Sequence, residues 1–175
     1  MIKDAAFTVA FDRIIGHEGG FQDDRLDRGN WTGGRVGQGE LKGTNFGLSA
    51  MTYPDEDIKG MSIDRAKEIY FSDWWKPLKM DKMPKAVTYQ LFDAAINHGM
   101  HRASILLQKA VDAKPDGIIG SKTIQAVVSA DLNDVLIRFL SERLRFMAYI
   151  STWPRFGKGW AIRIADNLLL AAEDN

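Results

Sequence analysis

The run IIGHEGGFQDD, residues 14–24, sets a carboxylate, Glu18, on what reads as the apolar face of a helix. Glu18 follows Phe11 by seven residues and Ile14 by four, the spacing that stacks side chains on one helical face. Two effects there favour the protonated acid. Apolar neighbours penalise the charged form by desolvation. Partial negative charge at a helix C-terminus penalises it again. A carboxylic acid kept protonated near neutral pH can serve as a general acid. The ordinary reading is a glutamate at a solvated helix end. It is outweighed because the apolar face, the Gly19-Gly20 stop and the Gly-rich segment beyond agree.

A general acid often works with a second carboxylate, and Asp23, Asp24 and Asp27 all follow within nine residues. In a glycosidase the partner activates water, attacks as nucleophile or stabilises an oxocarbenium-like state. Aspartates in Gly-rich loops also make Asx-turns, and at least one of the three must do so.

The elements that hold these groups follow from periodicity. Phe7, Phe11, Ile14 and Ile15 predict a first helix, stopped at Gly19 and Gly20. Residues 19–60 hold ten of the 16 glycines and lose helical periodicity. With Trp31, Phe46 and Leu48 inside it, this segment reads as an ordered binding segment with short strands or irregular hairpins. Ser62 can cap a helix over IDRAKEIYFSDWW. Helices follow over KAVTYQLFDAAINH, RASILLQKAV and KTIQAVVSA, the last capped by Ser121, and the longest over NDVLIRFLSERLRFMAYIST. WPRFGKG should break that helix before a last one over WAIRIADNLLLAAED. The fold class is mainly α, a helical bundle with a small Gly-rich irregular or β lobe near the N-terminus.

Lys plus Arg equals Asp plus Glu at 23 each, so no global charge draws the chain to nucleic acid or anionic lipid. With no cysteine, disulfides and Cys-ligated zinc are excluded. The N-terminus does not read as a signal peptide, and no run approaches the roughly 20 apolar residues of a membrane span. Synthesis in a reducing cytoplasm is expected, with export or release by other means.

HEGGFQDDRLDRGNWTGG followed by GTNFGLSAMTYP resembles the N-terminal half of the glycoside hydrolase 108 family, phage and prophage endolysins with N-acetylmuramidase activity. LFDAAINHGMHRASILLQKAV, PDGIIGSKT and RFGKGWAIRI are similar to the C-terminal part of the same proteins, described as a predicted peptidoglycan-binding domain. The resemblance implies an α+β lysozyme-like fold, with a lysozyme-like catalytic part over 1–96 and a wall-binding helical part over 97–175, packed as one globular unit. It makes Glu18 the catalytic acid. In the wider phage lysozyme superfamily an aspartate follows nine residues later, then a threonine opening a turn. Here those positions are Asp27 and Thr44, with a longer intervening segment, NWTGGRVGQGELKG, than in compact members. Asp24 remains a rival to Asp27. The implied substrate is the β-1,4 bond between N-acetylmuramic acid and N-acetylglucosamine. Cleavage would lyse the host after release into the periplasm, for example through a holin. Whether configuration is inverted or retained depends on the carboxyl separation.

Other side chains complete the expectation. Trp31, Tyr70, Trp74 and Trp75 carry rings able to stack on sugars. Trp31, in the Gly-rich loop, is the better subsite candidate. Tyr70, at helical spacing, reads as core but is kept as a substrate-binding candidate. Asn97 matches a recurring family position, where its amide would bind an N-acetyl group or cap the helix. Gln108 is a further candidate of that kind. The three histidines, His17, His98 and His101, do not make a zinc set, so no metal and no cofactor is expected, and His98 reads as packed or capping. Arg138, Arg143 and Arg145 read as a solvated basic face that could touch anionic envelope components. A monomer is expected. The rival activities are a lytic transglycosylase on the same bond, a non-catalytic wall-binding module, and an effector secreted between bacteria.

Overall fold

The computed structural model describes residues 2–15 and 20–175. Glu18 and His17 lie outside the described residues. Seven α-helices and one two-stranded sheet occur among the described residues, a mainly α, lysozyme-like architecture. The chain packs as two compact units, Met1–Ser72 and Asp73–Asn175. Residues 96 and 97, between which the functional boundary is expected, lie near the end of the helix Lys85–His98 in the second unit.

In the first unit α1 (Ala5–Ile15) buries Phe7, Ala10, Phe11, Ile14 and Ile15, the stripe that the periodicity predicts. The Asp4 carboxylate accepts from the Phe7 N–H at 3.0 Å and caps its start. Phe7 and Phe11 meet at 5.8 Å, and Phe11 meets Tyr70 edge-on at 5.8 Å. Tyr70 ends α2 (Ile63–Tyr70), which opens as expected on Ser62, whose side chain accepts from the Arg65 N–H. The chain then passes through a π-helical turn over Phe71–Trp75.

Between α1 and α2 the Gly-rich segment is ordered. β1 (Thr44–Asn45) pairs antiparallel with β2 (Leu48–Ser49), Thr44 opposite Ser49 and Asn45 opposite Leu48. The two-residue turn between them has both φ values positive, 50° at Phe46 and 76° at Gly47, as a type I′ hairpin requires. A phenylalanine there is strained. The Tyr70 hydroxyl donates to the Phe46 carbonyl at 2.9 Å and holds it.

The second unit is helical: α3 (Lys85–His98), α4 (Met100–Ala110), α5 (Ser121–Ser129), α6 (Leu132–Ala148) and α7 (Trp153–Glu173). α3 is buried on every side from Ala86 to Ala95, with α4, α6 and α7 packed against it. Three local expectations are corrected. α5 is capped by Gly120, and Ser121 is its first residue. WPRFGKG does not break a helix but opens α7, because Pro154 near the start costs no backbone hydrogen bond. Arg143 does not lie on a solvated face: it is fully buried.

Candidate active site

The chemistry-bearing segment after α1 is organised by Asn30, whose side chain is fully buried. Its carbonyl oxygen accepts from the Thr44 hydroxyl at 2.7 Å and from the Gln22 amide at 3.3 Å. Its amide nitrogen donates to Gln22 Oε1 at 3.1 Å and to the Asp24 carbonyl at 3.0 Å. Its backbone N–H donates to the Asp27 carbonyl, and its own carbonyl accepts from Lys42 and Gly43. Asn30 therefore clasps 22–27 to 42–44, with all four side-chain hydrogen-bonding positions used. Gln22 also pairs with Thr44 through the backbone, N to O at 2.9 Å and 2.8 Å. Gly43 (φ 84°) admits this pairing, because a Cβ there would lie 2.5 Å from the Gln22 carbonyl oxygen.

Thr44, half-buried, is thus locked by its own proton. With O–H aimed at Asn30, the hydroxyl presents its lone pairs to any donor that approaches, water included. Asp27 is exposed and caps a 3-10 turn, its Oδ1 accepting from the Gly29 N–H at 2.8 Å. Asp24 makes the equivalent bond to Leu26 at 2.9 Å. Both aspartates make Asx-type bonds through one oxygen, so this local role does not separate the two rivals. Asp23 instead lines an open depression of about 410 Å³, with Phe21, Leu41, Lys42 and residues 55–59.

The indole N–H of Trp31, half-exposed, donates to the Arg25 carbonyl at 3.0 Å, and Trp31 bridges Leu41. Trp31 and Thr44 are therefore brought into one lobe with Asp24 and Asp27. Tyr70, 2% exposed, lies in the core of that unit, its hydroxyl spent on the hairpin. In the second unit Trp75 is buried edge-on against Phe92 at 5.5 Å, and Trp74 is half-buried.

Asn97 and Gln108 both belong to the second unit. Asn97 is exposed at the end of α3, its amide nitrogen donating to the Asp93 carbonyl at 2.7 Å. It lines a cavity of about 90 Å³ with His98, Met147, Ile150, Trp160 and Arg163. Gln108 is buried and tied to its own fold. Its amide nitrogen reaches Asp116, the Ile118 carbonyl and Thr123 at 2.8–3.2 Å, and its oxygen accepts from Gly117. Gln108 is the latch of the Pro-Asp-Gly turn.

Sequence reasoning missed two residues. Asn30 reads as one more turn residue in RGNW, and nothing local marks it as buried. Asp93 did give a signal, a carboxylate in the apolar run LFDAAI, the same signal that singles out Glu18. Asp93 is 1% exposed and meets Arg143 at 2.7 Å, Arg163 at 2.8 Å and the Asn167 amide at 2.8 Å. Burial alone would raise its pKa, but the two guanidinium groups hold the carboxyl below the usual carboxylate range. Beside it, desolvation and then Arg143 push His98 down to about 4. His98 packs edge-on against Phe146 at 5.2 Å as a neutral ring.

Comparison with known proteins adds the chemistry. The sequence profile of the family described as Glycosyl hydrolase 108 matches residues 11–99, just over half of the chain and all of the Asn30 lobe. The chain is also similar to a solved structure, the Brucella abortus SagA, at 27% identity and a TM-score of 0.78. That match covers 96% of this chain and 92% of SagA. Among curated proteins no significant match is found.

Proposed function

The chain belongs to the glycosyl hydrolase 108 family, and from that premise we propose that it is an N-acetylmuramidase, hydrolysing the β-1,4 bond between N-acetylmuramic acid and N-acetylglucosamine in peptidoglycan. The observation that carries this reading is the Asn30 clasp. It holds Thr44 as an oriented acceptor in the same lobe as Asp27, in the segment that follows Glu18. In the proposed mechanism Glu18 protonates the glycosidic oxygen as the bond breaks. The Asp27 carboxylate stabilises the developing oxocarbenium charge or takes a proton from the attacking water, which donates its other hydrogen to Thr44 Oγ1. Hydrolysis leaves a reducing sugar at the cut and a free hydroxyl on the leaving residue.

The biological role proposed with it is that of an endolysin. The chain would be made in the host cytoplasm, act as a monomer on glycan strands once released to the periplasm, and lyse the cell. Residues 97–175 would supply wall affinity. No helix among the described residues is long and apolar enough to cross a membrane. In this reading another protein, such as a holin, releases the chain.

Analysis of the ends produced from purified peptidoglycan tests the reading. Wild type should yield reducing muramic ends, and Glu18→Gln should lose roughly 10²–10⁴-fold in rate if a general acid is removed. Asp27→Asn should lose more activity than Asp24→Asn. Ends carrying 1,6-anhydro-muramic acid would instead identify a transglycosylase, and full wall clearance by folded Glu18→Gln would remove the enzymatic role.

A further inference from the structure

The first half of α7 is built unlike the rest of the second unit. Trp153, Phe156, Trp160, Arg163 and Asn167 fall at alternating spacings of three and four, so they form one stripe along the helix. Exposure peaks at Phe156 and falls from there towards Asn167. Phe156 is 45% exposed, Trp153 and Trp160 are half-exposed, and Asn167 is buried. The three rings form a continuous surface, Trp153 to Trp160 at 6.0 Å and Phe156 to Trp160 at 5.9 Å. Trp160 also forms a wall of the 90 Å³ cavity that Asn97 and Arg163 line.

Two glycines interrupt this stretch, and each costs about 1 kcal/mol in a helix interior relative to alanine. Gly157 has a packing reason: a Cβ there would lie 2.5 Å from the Trp153 ring. Gly159 has none, since nothing lies within 4 Å of where its Cβ would be. A bare backbone beside an aromatic surface gives a ligand room for close approach. The charge is one-sided as well. Residues 153–163 contain no acid; Arg163 is paired with Asp93, Lys158 lies on the far side of the helix, and the Arg155 guanidinium stacks on Phe156 at 5.0 Å as the cation beside the rings.

We infer that this stripe is a second carbohydrate site, which holds a carboxylate-bearing glycan strand such as the muramyl chain of peptidoglycan. The aromatic faces take the C–H faces of successive sugars. Arg155, stacked on Phe156, meets the lactyl or peptide carboxylates. An acetamido group enters the cavity, where the Asn97 amide, its nitrogen held by Asp93, offers its carbonyl oxygen to the acetamido N–H. Rings and the Arg155 cation together favour an anionic glycan over a neutral one, and the amide-lined cavity beside the rings favours a sugar over a lipid. The inference rests on the peptidoglycan reading of the substrate and gives the wall-binding role a place.

The test is co-sedimentation of the full-length Glu18→Gln protein with purified peptidoglycan sacculi, with chitin as the neutral comparison. Phe156→Ala, on the surface, and Phe156→Ala/Trp160→Ala should weaken binding to sacculi by about tenfold or more, as stacking losses do. Arg155→Glu should remove the preference for sacculi over chitin, whereas Lys158→Glu, on the opposite face, should leave it in place. Unchanged binding in folded Phe156→Ala and in Arg155→Glu overturns the inference. So does Phe156-dependent binding to phosphatidylglycerol vesicles without binding to sacculi, or a dimer that Phe156→Ala dissociates. Reducing-end release by wild type is measured separately. Loss of that activity with binding intact would sink the hydrolase reading alone, and the converse would sink this one alone.

Discussion

Replacement of Asn30 by alanine should damage stability and catalysis together, because one side chain serves both. The change removes four hydrogen bonds of 2.7–3.3 Å and leaves the Thr44 hydroxyl and the Asp24 carbonyl without their partner. The Gln22 pair contributes least, since Gln22 is exposed and can turn to water. At about 1 kcal/mol for each of the two stronger bonds, plus the burial cost of the orphaned groups, the loss should be about 2–3 kcal/mol. With a slope of about 2 kcal/mol per molar urea, the midpoint should fall by about 1–1.5 M. Urea unfolding followed by tryptophan fluorescence reads this, and reducing-sugar release from peptidoglycan reads catalysis. Asn30→Asp keeps the acceptor for Thr44 and loses the donor to Asp24, so it should retain more activity than Asn30→Ala. A cycle with Thr44→Val should show coupling of about 1 kcal/mol, as expected of residues in contact. Additive losses in that cycle, or wild-type activity in folded Asn30→Ala, would refute the claim that Asn30 orients Thr44.

Arg143→Met should destabilise the second unit by about 3–5 kcal/mol, because it strips one partner from a buried carboxylate; denaturant titration measures it. Asp93, held below its ordinary value, contributes stability that is present above about pH 4 and lost as pH falls further. His98 acts over a higher window. Its folded pKa of about 4 lies below the ordinary 6.5, so the neutral ring is favoured on folding. That contribution is complete above pH 6.5 and disappears as pH falls from 6.5 towards 4. Thermal melts of His98→Phe should therefore depend less on pH across that window than those of wild type, and equal slopes would contradict the assignment. Gln108→Ala should cost about 2–3 kcal/mol and expose the Pro-Asp-Gly turn to proteolysis, because it orphans Gly117 and Thr123.

The helices were legible because burial imposes a period: α1 buries Phe7, Phe11 and Ile14, and Ser62 caps α2, as their spacing requires. Ordering of the Gly-rich lobe was also legible, since Trp31, Phe46 and Leu48 are costly to leave in water. The partners of polar side chains were not. Asn30 reaches Thr44 across 14 residues and Asp93 reaches Arg143 across 50, and hydrogen bonds leave no periodicity behind. Hence Arg143 read as solvated and Gln108 as a ligand-binding amide, until packing showed what each one touches. WPRFGKG read as a break because proline and glycine lower helix propensity, whereas position near the helix start and the Trp153 ring decide what they do there.

The carboxylate in an apolar run shows most plainly where sequence stops. Glu18 and Asp93 carry the same local signal. A pKa is fixed by which charges arrive through space, and at Asp93 two arginines from other helices reverse the effect of burial. From the sequence alone a reactive carboxylate is expected after the first helix, with its partners in a glycine-rich lobe. Only the tertiary structure decided that Asn30 locks Thr44 and that Asp93 is an ion-pair centre. Periodicity is a property of one segment, and a charge environment is a property of all the segments that meet around it.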